Sequence, residues 1–149
     1  MNKKNVKKIL YKGHKPYITY LGKFVAIFEE VVNKQLTAER DFKIKYPHSY
    51  QIFDKQIRKN VGHATIDTIP KKLTRVNITL VYNGSNCLIY ELCRHIRNSF
   101  CHMLLEIDSI DSNTIKIIDK SRNKISSNGS IDKSVFLSFI KTIVEEYEN

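Results

Sequence analysis

Apolar residues recur at helical spacing along the first third of the chain. Between residues 17 and 36 they follow steps of three and four, at Ile18, Leu21, Phe24, Val25, Phe28, Val31 and Val32. This spacing predicts an amphipathic helix, and Pro16 suits its first turn. A polar connection over residues 37–47 leads to a second predicted helix, which begins after Pro47 and ends at Gly62.

The second half of the chain predicts two more helices with a β-hairpin between them. The third helix covers residues 86–105, and residues 106–124 form the hairpin. Asn128-Gly129 marks the end of the hairpin. Ser130 is expected to cap the final helix, with Asp132 in its first turn.

Residues 73–82 fit a strand or a helix equally well, so that choice stays open. We therefore predict a mainly α fold, an antiparallel helical bundle that carries a small β-hairpin before the last helix. The length of 149 residues suits a single domain. We place this domain at residues 16–149, after a basic N-terminal arm at residues 1–15.

Charge adds a prediction about partners. The chain carries 25 Lys plus Arg against 15 Asp plus Glu, a net charge of +10, and the arm holds six Lys and no acidic residue. This excess favours a polyanion as partner, with nucleic acid ahead of a membrane surface. An ordinary solvated basic surface is the alternative interpretation.

Several other classes of protein find no support in the sequence. No apolar run approaches the roughly 18–20 residues that span a bilayer, and Ile9, Leu10 and Tyr11 give the arm little apolar surface, so we expect no membrane partner. Three cysteines without a CxxC pair favour a reducing cytoplasm and no metal site. Because phosphate-binding glycine motifs are also missing from the sequence, we expect no cofactor.

The third helix carries the candidate chemistry. Its apolar stripe contains Ile89, Leu92, Ile96, Phe100 and Met103, and its opposite face collects Glu91, Arg94, Asn98, Cys101 and His102, with Arg97 on the flank. Arg97 and His102 lie about 140° apart around the helix, on one polar face but hardly in contact. A second copy packed by two-fold symmetry would bring each arginine toward the histidine of the other copy.

The segment Arg97-Asn98-Ser99-Phe100-Cys101-His102 resembles the R-N-x-x-x-H signature of the HEPN superfamily. The resemblance covers residues 86–147 well and residues 17–62 only in architecture. It implies a helical bundle, a homodimer with one composite site, and metal-independent endoribonuclease activity on RNA. Family members often serve as toxins or in antiviral and abortive-infection defence, so an antitoxin protein is a further partner to expect.

The proposed chemistry explains why these residue types are needed. RNA is cut without metal when its 2′-hydroxyl attacks the adjacent phosphate and leaves a 2′,3′-cyclic phosphate. His102 suits the proton transfer, because imidazole titrates near neutral pH. Arg97 suits the developing phosphate charge, and Asn98 suits orientation of the phosphate. Arg94 and His95 are expected to enlarge the cationic, RNA-binding rim.

Two alternatives accompany this interpretation. A second segment with the same arginine-to-histidine spacing runs from Arg58 to His63, but Gly62 interrupts it and no asparagine follows Arg58. The other class of function is a non-catalytic HEPN module that binds nucleic acid or nucleotides, or scaffolds a partner. The basic arm would serve that module equally well.

Overall fold

The computed structural model describes residues 15–69, 78–81, 87–102, 106–107 and 113–149, without the side chains of 15–18 and 106–107. All of the basic arm except Lys15 lies outside these residues. So do residues 73–77 and 82 of the segment that fits a strand or a helix, residues 86 and 103–105 of the third predicted helix, and residues 108–112 of the predicted hairpin.

Helices make up the described part of the chain before residue 61. The first, α1, spans Lys15–Ile27 and continues through a π-helical turn at Phe28–Val32 and a last turn at Asn33–Gln35. Helix α2 spans Glu39–Lys45, and α3 spans Pro47–Ile52 and continues through Phe53–Ile57 and Arg58–Asn60.

Helix α2 corrects the prediction of a polar connection over residues 37–47. Phe42 on this helix is fully buried, although its neighbours in the sequence are charged. Acidic residues occupy the first turn and basic residues the last, which is the arrangement that a helix dipole favours. One buried aromatic residue therefore anchors a helix that is too short to show an apolar period.

A mixed six-stranded sheet follows, and it overturns the predicted helical bundle with one hairpin: the fold is α/β. The strands are β1 (Val61–Ala64), β2 (Ile78–Val81), β3 (Glu106–Ile107), β4 (Thr114–Lys116), β5 (Asp119–Ser121) and β6 (Lys124–Asp132). Their order is β1-β2-β6-β4-β3, with β5 also paired to β6. Among the described strands, β1 and β2 run parallel and the other pairs are antiparallel.

Strand β6 explains why the sheet was missed. Its interior holds Ser126, Ser127, Asn128 and Ser130, all nearly or fully buried, so it lacks the apolar alternation of an ordinary strand. Asn128-Gly129, predicted as the end of the hairpin, lies inside this strand and pairs with β2. Gly129 has a φ of 147°, a backbone conformation that side chains rarely allow.

The tight turn of the hairpin lies earlier, at Arg122 and Asn123. Both have positive φ, 49° and 67°, and Ser121 pairs with Lys124 across them. Two positive φ values in a two-residue loop match the twist of the flanking strands. The turn at Arg122-Asn123 lacks the Asn-Gly pair that is typical of such a loop.

Two further helices complete the fold. Helix α4 spans Leu88–Cys101, and α5 spans Lys133–Glu148. The cap of α5 is Asp132, whose side chain accepts a hydrogen bond from the Val135 N–H at 3.1 Å, whereas Ser130, the predicted cap, lies in β6. Helix α5 packs on α1 and α3, while α4 packs against β2, β5 and the π-helical turn of α1.

Candidate functional site

Part of the polar side of α4 is turned toward the sheet. Glu91, His95 and Ser99 are fully buried, while Cys101 and His102 at the C-terminal end of the helix are exposed. The Ser99 hydroxyl donates to the Ile118 carbonyl at 2.7 Å, which fixes the helix against the residue that precedes β5. This contact brings the next residue, Asp119, to the face that carries the motif.

Asp119 is a buried carboxylate that contacts the motif residues of α4. Its Oδ2 lies 3.0 Å from His95 Nδ1 and accepts a hydrogen bond from Asn98 Nδ2 at 3.1 Å. Its Oδ1 accepts from the backbone N–H of Lys120 at 2.8 Å and lies 3.8 Å from His102 Nδ1. One carboxylate thus joins three of the side chains that the sequence singled out.

The electrostatics of Asp119 follow from these contacts. Burial opposes its ionisation, but the hydrogen bonds from His95 and Asn98 outweigh burial and lower the pKa of this carboxyl below its ordinary value. The group is therefore an anion at neutral pH, held inside the protein by donors.

His95 occupies an interior position. Its Nδ1 faces a carboxylate oxygen, which only accepts, so we assign a hydrogen to Nδ1. Its Nε2 lies 3.0 Å from Arg94 Nη2 and 2.8 Å from the Val81 carbonyl oxygen. Because the side chain is fully buried, the expectation that His95 lies at an exposed RNA-binding rim is corrected. Its role in this structure is to hold Asp119.

Arg94 lies beside His95, and about one-fifth of its side chain is exposed. Its Nε contacts Glu91 Oε2 at 2.7 Å, and its Nη2 donates to the Val81 carbonyl at 3.1 Å. The buried Glu91 carboxylate balances the charge of Arg94. This arginine therefore contributes hydrogen-bond donors to the site and little net positive charge.

Arg97 and Asn98 are linked on the same helix. Arg97 Nη1 donates to Asn98 Oδ1 at 2.9 Å, and Arg97 Nη2 lies 2.5 Å from Glu29 Oε1 on the π-helical turn of α1. The Arg97 side chain is about one-third exposed, while its Nε is buried without a hydrogen-bond partner among the described residues. Asn98 thus connects Arg97 to Asp119.

His102 lies at the C-terminal end of α4, where its N–H donates to the Asn98 carbonyl at 2.9 Å. Its side chain is 56% exposed, in contrast to the 3% exposure of the Asp119 side chain behind it. A buried carboxylate behind an exposed imidazole is the arrangement that orients a histidine for proton transfer. At 3.8 Å the two groups are close but not hydrogen-bonded.

A cleft of about 310 Å³ opens next to this network. Arg94, Asn98, Asp119 and Lys120 contribute to its wall, and Ile66 and Ser126 line it from the loop after β1 and from β6. Of the motif residues, Asn98 lines this cleft, so the motif helix and the sheet share one concave surface, which is the usual form of a binding site.

The structure separates the residues of the second arginine-to-histidine segment. Arg58, in the short turn after α3, contacts Asp54 at 2.8 Å and also pairs with Glu39, whereas His63 lies on β1. Within the described ranges, no group of three or more His, Cys, Asp or Glu side chains is arranged to hold a metal ion. None of the described helices has the length and apolar character to cross a membrane.

Two residues of this site escaped prediction from sequence. Glu29 was visible only as one of two adjacent acids on α1, and nothing in the sequence pointed it at Arg97. Asp119 follows Ile117 and Ile118 directly, and an acid that ends an apolar run was the one available signal.

Comparison with models of protein families, with curated proteins and with solved structures gives no match to this chain.

Proposed function

We propose that this protein is a metal-independent endoribonuclease whose active site is centred on Arg97, Asn98 and His102. One observation carries the proposal: the Asp119 carboxylate binds Asn98 and stands behind the exposed His102, while Asn98 binds Arg97. The resemblance to the HEPN signature supports the same chemistry. This support comes from the motif residues and not from the overall fold.

In this proposal, His102 takes the proton of the 2′-hydroxyl as that oxygen attacks the phosphorus. The bond from phosphorus to the 5′-oxygen breaks, and the departing oxygen receives a proton from water. Asp119 Oδ1, which lies 3.8 Å from His102 Nδ1, orients the imidazole for this step. The products are a 2′,3′-cyclic phosphate and a free 5′-hydroxyl.

Arg97 supplies charge to the phosphate in the same step. A guanidinium offers two parallel donors to phosphate oxygens, and charge on those oxygens grows as the fifth bond to phosphorus forms. Because Arg97 forms an ion pair with Glu29 in the structure, binding of RNA requires the phosphate to replace that carboxylate.

A cleavage assay in EDTA tests the proposal. Purified protein is incubated with mixed-sequence RNA, with the His102→Ala variant purified in parallel to control for contaminating nucleases. We expect cleavage by the wild type only, cyclic phosphate ends on the products, and resistance of RNA that carries 2′-O-methyl groups. Cleavage that needs a divalent cation, or that also cuts 2′-O-methyl RNA, would contradict the mechanism.

The non-catalytic nucleic-acid-binding module is the second candidate. The observation that favours it is the engagement of Arg97 by Glu29, together with the 3.8 Å separation of His102 from Asp119. Intact RNA in the same assay, with binding retained, would support this candidate. Homodimerisation, an antitoxin partner, a defence role and a cytoplasmic location stay predictions.

A further inference from the structure

The cleft beside Asp119 contains a polar group that the network leaves unused. Ser126 is 5% exposed, lines the cleft, and its Oγ is buried without a hydrogen-bond partner among the described residues. An unsatisfied buried hydroxyl is unfavourable and calls for an explanation. A ligand in the cleft supplies one.

An irregularity in the sheet places this hydroxyl. Asp119 pairs with Ser127 and Lys120 pairs with Ile125, so the register shifts at this point and Ser126 has no partner across the ladder. Such bulges re-aim a side chain and recur beside active sites. The same shift therefore aims Asp119 at the motif and Ser126 at the cleft.

The charges around the cleft favour an uncharged ligand. Arg94 is balanced by Glu91, and the exposed Lys120 stands next to the Asp119 anion. Asp119 already accepts three hydrogen bonds, from His95, Asn98 and the Lys120 N–H. A phosphate would find little net positive charge here, whereas Ile66 and Val81 provide apolar walls for a flat ring.

The free hydrogen-bonding capacity is dominated by donors. Lys120 Nζ donates only, the Asn98 amide has a second N–H beyond the one given to Asp119, and the Ser126 hydroxyl can donate. Uracil presents carbonyl acceptors, and guanine presents O6 and N7. At the position of guanine O6 and uracil O4, adenine and cytosine present amino groups, whereas N7 is an acceptor in both purines.

We propose that this cleft binds one nucleobase of the RNA, next to the phosphate that is cleaved, and prefers the keto bases uracil and guanine. The inference rests on the proposed function and deepens it. Asn98 and Asp119 belong both to the cleft and to the network behind His102, which sets the base beside the reacting phosphate.

Binding of the four ribonucleoside 3′-monophosphates, followed by NMR titration, tests the base site without any need for cleavage. We expect UMP and GMP to bind about three- to tenfold more tightly than CMP and AMP, the effect of one or two hydrogen bonds. They should also shift the amide signals of Ser126 and Lys120. Equal binding of the four nucleotides, or shifts confined to another surface, would overturn the proposal.

Two variants sharpen the test. Ser126→Ala removes the hydroxyl and should reduce the preference for keto bases, while Ser126→Val should also narrow the cleft and weaken binding of all four. Ser127→Ala is the matched control, because Ser127 is equally buried on the same strand but bonds to the Ile117 carbonyl at 3.4 Å. Ser126→Ala alone decides the matter if the valine variant does not fold.

The two proposals fail separately. RNA that stays intact in EDTA, with base-selective binding that Ser126→Ala reduces, would refute the ribonuclease and retain the base site. Cleavage that depends on His102 but keeps its base preference in Ser126→Ala would retain the ribonuclease and refute the base site.

Discussion

Two regions of this molecule are buried to the same degree by different means. Where α1 and α3 pack on α5, the interior consists mainly of apolar side chains such as Phe24, Phe53 and Phe139, each fully buried, with Ser49 as a buried polar residue that bonds to Glu146 of α5. Where α4 packs on the sheet, the interior includes Glu91, His95 and Asp119. His95 bonds to Asp119, and Arg94 links His95 to Glu91.

This difference separates the region that stabilises the fold from the region that holds the titratable side chains. Apolar packing is non-directional and stabilises the fold in proportion to the apolar area that it removes from water. A buried polar network costs desolvation and contributes only when each group finds its partner, but it fixes side chains in one orientation. The helical region therefore forms the framework, and the α4–sheet region holds a defined arrangement of titratable groups beside a cleft.

The largest expected effect on stability belongs to the apolar region. Phe139→Ala should lower the free energy of unfolding by roughly 3–5 kcal/mol, because it leaves a cavity in a fully packed core. RNA cleavage per folded molecule should stay unchanged. Urea denaturation measures the change, with Ile44→Ala as control, since Ile44 is 68% exposed.

A smaller effect on stability is expected from Asp119→Asn in the polar network. The amide replaces an acceptor by a donor and leaves at least one buried N–H unpaired, at a cost of about 1–3 kcal/mol. Cleavage should fall as well, because His102 loses the anion behind it. Asp132→Asn is the matched control: asparagine caps a helix as well as aspartate does, so its stability should stay near that of the wild type.

The pH dependence of stability distinguishes the two regions again. Since the pKa of Asp119 is lowered in the folded protein, the stability it contributes is complete above its unfolded pKa of about 3.9 and is lost as the pH falls through the folded value. As the pH falls from about 5 through the unfolded pKa and below it, denaturation midpoints should fall more steeply for the wild type than for Asp119→Asn. Equal slopes would show that the network does not hold an ionised Asp119.

The smallest effect on stability concerns Glu29. Its ion pair with Arg97 is partly exposed, 46% and 32% for the two side chains, so Glu29→Gln should change stability by less than about 1 kcal/mol. RNA should nevertheless bind more tightly, because Arg97 no longer has a carboxylate to release. Weaker RNA binding by this variant, measured by fluorescence anisotropy, would argue that Arg97 does not contact the phosphate.

The sequence predicted those parts of the fold that show an apolar period. The helices of residues 17–36 and 133–148 and the motif helix lie where the pattern indicates them. The sheet was missed because β6 buries serine and asparagine, β1 and β2 are four residues long, and α2 rests on the single buried Phe42. Such elements exist because of contacts distant in sequence, which no local period reports.

The candidate site was predicted in part for the same reason. Arg97, Asn98 and His102 stand out because they share one helix at a recognisable spacing. Asp119 and Glu29 reach them from other elements, through the packing of β5 and α1 on α4. His95 looked like part of a cationic rim because its helix position was visible and the sheet that covers it was not.

The central claim is that the C-terminal end of α4, where His102 faces Asp119 of β5, performs the chemistry. The cleavage rate of His102→Ala tests this claim most directly. The rate in EDTA should fall by roughly 10²–10⁴-fold, the usual effect of losing a positioned proton-transfer group. Folding should persist, because the side chain is 56% exposed. His63→Ala, from the other segment with this spacing, should cleave like the wild type. Cleavage by His102→Ala at the wild-type rate, or an equal loss in His63→Ala, would contradict the assignment.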